Sequence, residues 1–115
     1  MKYMILIYSQ EASWADVPPE RISEIMAAYY AYTEKLAAAG VLVAGDELNT
    51  IATAKSVRGA NGAQVIDGPF VDTKESLGGY YMIDCATEAE ALNWAKQCPV
   101  MMHGGGVELR PVMVR

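Results

Sequence analysis

Histidine and phenylalanine each occur once in this chain and cysteine twice, and each scarcity closes off a class of chemistry. A zinc-type site draws on several Cys and His ligands at fixed spacing. With His103 as its one imidazole and no CxxC pair, the chain is expected to hold no metal and to need no cofactor. Cys85 ends a strand-like run and Cys98 ends the helix-like run over 87–98, which would set them roughly 16 Å apart. A disulfide needs its Cα atoms within about 7 Å, so free thiols and a reducing, cytoplasmic setting are expected. The early apolar run Met4 to Tyr8 is far too short to span a bilayer and lacks the flanks of a signal peptide, so no membrane partner is expected. Lys and Arg number 9 against 14 Asp and Glu, for a net charge of −5. They form no basic cluster, which argues against nucleic acid. Gly104-Gly105-Gly106 precedes a strand rather than linking strand to helix, so it is not a dinucleotide loop.

What is present alternates. At 115 residues the chain suits one domain with one core, here residues 1–115. Lys2 to Ser9 reads as a buried strand, with Tyr3, Ile5 and Ile7 on one face and Met4, Leu6 and Tyr8 on the other. Pro18-Pro19 opens a helix whose apolar positions fall at Ile22, Ile25, Met26, Tyr29, Thr33 and Leu36, and Gly40 closes it. Val41 to Ala44 reads as strand, with Asp46-Glu47-Leu48 at its exit. Ala54–Arg58 and Ala63–Ile66 form a hairpin around Gly59-Ala60-Asn61-Gly62. Gly79 to Cys85 is a further strand. Thr87-Glu88-Ala89-Glu90 is a capping box for a helix to about Cys98, ended by Pro99. Val107 to Val114 is the last strand. The order is β-α-β, a hairpin insertion, then β-α-β. That predicts an α+β, ferredoxin-like split βαβ: two helices on one face of an antiparallel sheet. The other face, apolar along the first strand, needs a cover. A second copy supplies it, so a homodimer with facing sheets is expected.

The densest chemistry lies in Asp67-Gly68-Pro69-Phe70-Val71-Asp72-Thr73-Lys74-Glu75, followed by Leu77-Gly78-Gly79-Tyr80-Tyr81. A plain turn needs Gly and Pro but not this array of charges. Two readings stand for Asp67 and Phe70: a turn cap with a core anchor, or part of a site. Asp72, Lys74 and Glu75 are harder to assign to a turn alone. His103 is an acid/base candidate near neutrality, with Asp67 or Asp72 as its orienting carboxylate, or else a loop residue bonded to backbone. Lys74, Glu75, Arg110 and Tyr29 are candidate substrate contacts. Tyr29 also stands at core spacing and Arg110 on a strand, where packing or pairing would suffice. Gly78-Gly79 at a strand start marks a bulge or a close backbone approach.

The Asp67-to-Glu75 block, Leu77-Gly78-Gly79-Tyr80, and the tail Cys98-Pro99, His103-Gly104-Gly105 and Val107-Glu108-Leu109-Arg110-Pro111-Val112 resemble the DGPF branch of the YCII-related family. The resemblance takes in the first helix and Gly40 to Leu48, hence nearly the whole chain. It implies a dimeric α/β-barrel of ferredoxin-like subunits, in a superfamily that includes muconolactone isomerases and quinol monooxygenases. It also implies a possible link to sigma-factor regulation. In the wider group a His on the first helix pairs with an Asp. Here that helix carries Tyr29, Tyr30 and Tyr32 and no His, so the pair does not transfer.

Two functions from different classes follow. One is a small cofactor-independent lyase or isomerase on a cyclic or aromatic molecule, with His103, Asp67 and Asp72 handling protons and Lys74 or Arg110 holding an anionic group. The other is a non-catalytic ligand-binding or interaction module, working with a partner such as a sigma factor. A closed apolar pocket around a titrating group favours the first, and an open, solvent-facing block the second.

Overall fold

A computed structural model describes all of residues 1–115. Eight regular elements follow one another: β1 (Lys2–Ser9), α1 (Pro19–Ala38), β2 (Leu42–Glu47), β3 (Lys55–Arg58), β4 (Gln64–Asp67), β5 (Ser76–Asp84), α2 (Glu88–Ala95) and β6 (Gly106–Pro111). Strands β2-β5-β1-β6 form the main sheet in that spatial order, and β3 and β4 pair apart from it. Every pairing is antiparallel. Each half thus has a helix between two strands that another strand separates, and the α+β split βαβ read from the sequence is the fold that forms.

The local signals act as their chemistry dictates. Pro19 opens α1, where a missing N–H costs nothing. Gly40, at φ +74°, closes it with the Val41 amide bonded to the Leu36 carbonyl and the Gly40 amide to that of Ala37, the paired bonds of a left-handed helix end. In α2 the Glu90 amide bonds the Thr87 hydroxyl, while the Glu90 carboxylate reaches back to the Ala86 amide. This helix ends at Ala95 rather than near Cys98, because the chain tightens into a 3-10 turn over Pro99–His103. Cys85 and Cys98 are free and buried. No helix is long and apolar enough to cross a membrane.

The core lies between one sheet face and the helices. Tyr3, Ile5 and Ile7 of β1 meet Ile83 of β5, Tyr32 and Leu36 of α1, and Ala91 and Ala95 of α2. The buried positions of α1 are Ile25, Tyr32 and Leu36, while Met26 is exposed. The helix is therefore turned slightly from the face its apolar spacing suggested. Tyr32 tolerates burial because its hydroxyl donates to the Trp94 carbonyl at 2.8 Å and its ring meets Tyr81 edge-on at 5.3 Å.

The opposite sheet face has no cover within the chain. Met4, Leu6, Tyr8, Tyr80 and Met82 lie on it, each half-buried. The molecule is a slab of 45 × 44 × 17 Å with a radius of gyration of 15.8 Å, against about 13 Å for a compact chain of this length.

Two neighbouring glycines show how closely the sheet is fitted. The β1–β5 register skips Gly78, pairing Ile7 with Gly79 and Tyr8 with Leu77, so Gly78 is the extra residue of a bulge. A Cβ on Gly79 would stand 2.9 Å from the Asp46 carbonyl oxygen, whereas one on Gly78 meets nothing closer than 4.0 Å. Gly79→Ala is expected to cost about 1–3 kcal/mol in urea unfolding as β2 is pushed off β5, and Gly78→Ala to fall within about 0.5 kcal/mol of wild type. Equal losses in the two variants would contradict this register.

Candidate functional site

The residues singled out from the sequence separate into two groups. Asp67 ends β4 and turns its carboxylate to the Lys55 ammonium of β3. It holds the hairpin together and lies in no contact with His103. Phe70 is not a core anchor. Its ring is 60% exposed, with the Arg58 guanidinium 3.8 Å from its centroid. Asp72, Lys74 and Glu75 are exposed, and the chain's ion pairs leave all three free. Arg110 lies on β6, 3.9 Å from Glu108 on the same open face. Glu75 and Thr73 border an open depression beside Tyr8, Gly106 and Glu108. The stretch most charged in sequence is thus the most open in space, and no hydrogen bond joins His103 to Asp67 or Asp72.

His103 and Tyr29 do meet. The Tyr29 hydroxyl and His103 Nε2 are 3.4 Å apart across 74 residues of chain. The Trp14 ring lies 4.4 Å from the imidazole, tilted by 41°. Three elements converge to make this contact. The 3-10 turn over Glu11–Trp14 brings in the indole, α1 brings the phenol, and the turn over Pro99–His103 brings the imidazole. The glycines after His103 lock it there. Gly104 adopts φ +82°, and a Cβ on Gly105 would lie 2.4 Å from both the Tyr8 carbonyl oxygen and a Val100 methyl. That close approach, rather than a phosphate, accounts for the glycine run.

Beside this trio two positions of the sheet are glycine. Gly45 on β2 faces Tyr81, and a Cβ there would stand 2.7 Å from the tyrosine ring. Gly79, opposite Glu47, adds no side chain either. Glu47 shares the helix-side face with Gly45 and Ile7, as the alternation of β2 and its pairing require. The Tyr81 hydroxyl lies 2.8 Å from Thr33 Oγ1, and since Thr33 donates to the Tyr29 carbonyl it can accept from the Tyr81 hydroxyl, which anchors β5 to α1. Trp14, Tyr29 and His103 thus form a cluster at the end of the helix–sheet seam, with Tyr81 and Glu47 near Tyr29.

Its electrostatics suit proton transfer. Burial pushes the His103 imidazole below its usual range, partly offset by its own backbone carbonyl, so the ring is neutral at pH 7 and offers an acceptor nitrogen. Nδ1 is sealed from solvent without a partner, so protons reach the ring through Nε2, the atom that faces Tyr29. Burial, with smaller contributions from Cys98, Tyr81 and Glu47, holds the Tyr29 phenol well above its ordinary value. It therefore stays protonated and acts as a donor. At 3.4 Å the contact is long for such a bond.

Sequence reasoning picked out His103 and Tyr29 but not Trp14, Glu47, Thr33 or Tyr81 as their companions. A tryptophan in an otherwise polar loop, and a carboxylate two residues after a strand glycine, were the signals available.

Known proteins give the chain a context. The profile of the YCII-related domain matches residues 1–114. An uncharacterized protein of Rhizobium meliloti (strain 1021) is 33% identical over 114 residues, 97% of this chain and 92% of that protein. Among solved structures, 5-chloro-2-hydroxyhydroquinone dehydrochlorinase from Burkholderia phenoliruptrix AC1100, in complex with 2,5-dihydroxybenzoquinone, superposes with a TM-score of 0.56 at 19% identity. The match covers 98% of this chain and 94% of that one, a likeness of fold.

The depressed His103 pKa makes a solution test possible. Between the folded and unfolded pKa values the unfolded chain binds the extra proton. Stability therefore rises with pH across that window and falls as pH drops through about 6.5. Wild-type Tm is expected to decline from pH 7.5 to 5 more steeply than that of His103→Gln, followed by circular dichroism. Parallel slopes would mean that the imidazole is not held neutral.

Proposed function

Since the chain belongs to the YCII-related family and gathers imidazole, phenol and indole in one cluster, we propose that it is a cofactor-independent acid–base enzyme, a lyase or isomerase acting on a small planar hydroxylated ring. The observation that carries this reading is the neutral His103, with one nitrogen sealed and the other directed at Tyr29 beside the face of Trp14. The indole offers a stacking surface for a flat ligand. His103 Nε2 takes a proton from a ring hydroxyl or an acidic ring carbon, and the Tyr29 hydroxyl donates to the oxyanion that forms. The electron pair left on the ring then expels a leaving group elsewhere, giving a lyase, or takes the proton back at another atom, giving an isomerase. Burial disfavours the imidazolium, so the base is readily regenerated. The dehydrochlorinase of like fold is in complex with 2,5-dihydroxybenzoquinone, a flat hydroxylated ring of the class proposed here.

The open Asp67–Glu75 block supports a different role, that of a contact surface for a protein partner. The occupant favoured by the rest of the molecule is a second copy. The chain exposes 7679 Å², where a compact monomer of 12.5 kDa exposes about 6,200 Å². The excess of about 1,500 Å² per chain is what a stable homodimer buries, and the uncovered apolar sheet face is where facing sheets would meet.

The catalytic reading is tested by incubating the protein with 2,5-dihydroxybenzoquinone and small hydroquinones in D2O and following ring protons by NMR, alongside thermal shift. A ligand at about 100 times its Kd should add about 2.7 kcal/mol of stability. Wild type is expected to accelerate exchange at the acidic ring positions. His103→Ala should lose that acceleration by at least 100-fold, and Trp14→Ala should bind more weakly. Exchange or turnover unchanged in His103→Ala would overturn the assignment.

A further inference from the structure

On the helix side of the molecule, apart from the His103 cluster, an open groove of about 410 Å³ runs between α1 and the turn that follows α2. That volume lies in the range of small-molecule sites. Its floor is low because Ala28 and Ala31, three residues apart on α1, present only methyl groups there, beside Pro99. Two methionines and two lysines border its ends. Arg21, near the start of α1, holds the Met102 carbonyl at 3.3 Å, which places Met101 and Met102 at one end, 47% and 37% exposed. Lys35, near the end of α1, donates to Gln97 Oε1 at 3.1 Å, which places Lys35 and Lys96 at the other. Gln97 is itself fixed, donating to the Asn93 carbonyl at 3.1 Å. No carboxylate lines the groove, and neither lysine joins an ion pair. The helix positions three and four from Lys35 are Ala31, Tyr32, Ala38 and Ala39, and those before Lys96 are Leu92 and Asn93. Neither ammonium therefore has a carboxylate one turn away, in a chain where Asp and Glu outnumber Lys and Arg 14 to 9. The helix dipole favours a cation at each C-terminus, but it does not call for bare alanines and a methionine pair beside them.

We propose that this groove binds a small amphiphilic carboxylate, its apolar chain lying on Ala28, Ala31 and Pro99 and its carboxylate held by Lys35 and Lys96. Charge complementarity selects the head group. Two unpaired ammonium groups with no acid in the lining attract an anion and repel a cation. The floor selects the rest of the ligand, since an inorganic anion would leave the alanines and methionines uncovered. Met101 and Met102 suit a flexible chain, because an unbranched thioether fits its shape to irregular apolar surfaces. The site rests on neither the catalytic reading nor the homodimer. It opens on the helix side, so a second copy on the uncovered sheet face leaves it accessible.

Sodium octanoate titrated into the full chain tests this, read by NMR on methyl-13C methionine. The label gives seven signals, and Met101→Leu and Met102→Leu assign the two in the groove. These two are expected to shift together and saturate, while Met4 and Met82, on the opposite sheet face, stay still. Octan-1-ol, with the same tail and no charge, should bind at least tenfold more weakly. Lys35→Gln combined with Lys96→Gln should lose about tenfold in octanoate affinity, the scale of two exposed ion pairs, with unchanged circular dichroism. Ala31→Leu, at an exposed position of α1, should fill the floor and abolish saturation with both lysines in place. Octanoate binding that octanol matches, or that survives loss of both lysines or filling of the floor, overturns the proposal. So do shifts spread evenly over all the methionines, or no shift at all. Groove signals that follow protein concentration instead of octanoate assign the groove to a second copy and overturn it as well.

Discussion

The rest of the molecule depends on the two-residue alternation of β1. This strand lies inside the sheet, paired with β5 on one side and β6 on the other. Tyr3, Ile5 and Ile7 therefore go to the helices, and Met4, Leu6 and Tyr8 to the open face. A slip of one residue would exchange the two sets. The register is pinned at both ends. The Met1 ammonium meets the Asp84 carboxylate at 3.0 Å and the Cys85 carbonyl at 3.1 Å, and the Gly78 bulge absorbs the misfit at the far end. Two apolar surfaces result. One is filled by α1 and α2, and the other has no cover within the chain.

The same register supports the cluster. Pairing Tyr81 with both Ile5 and Gly45 aims its ring at α1, where Thr33 and Tyr32 receive it. Its neighbour across β2 must then be glycine, because a Cβ would occupy the ring's volume. A packing demand in the sheet thus fixes a glycine against Tyr81, while the indole and the imidazole are brought beside Tyr29 by the short turns that precede α1 and β6.

Much of the fold was legible because its signals are local. Pro19, Gly40, the Thr87–Glu90 box and Asn61-Gly62, both at positive φ, set element ends through bonds among near neighbours. The first helix was read with its face slightly wrong, since Tyr32, not Met26, goes inward. Periodicity gives a stripe but not which large residue finds a partner for its hydroxyl. The site was half legible. His103 and Tyr29 stood out as residue types, but their meeting depends on the Gly105 approach to β1 and on the tilt of α1, neither of which has a sequence mark. Phe70 stood as either a core anchor or a site residue, and its exposed ring sets the core-anchor reading aside. A sequence shows that a turn is specified tightly, not whether the specification serves chemistry or shape.

The same distinction applies to the cluster around His103: the first helix of this chain carries Tyr29 and no histidine, and the imidazole arrives from the turn before β6. The two groups are shifted by one cause, burial, in opposite directions. Burial keeps a phenol protonated and an imidazole unprotonated, since it penalises whichever form is charged. The resting pair is therefore neutral on both sides and needs no buried counter-ion, which removes the demand for a carboxylate next to the histidine. Asp67 and Asp72 can then lie out on the exposed hairpin and turn, while the nearby Glu47 charge helps keep the Tyr29 proton in place.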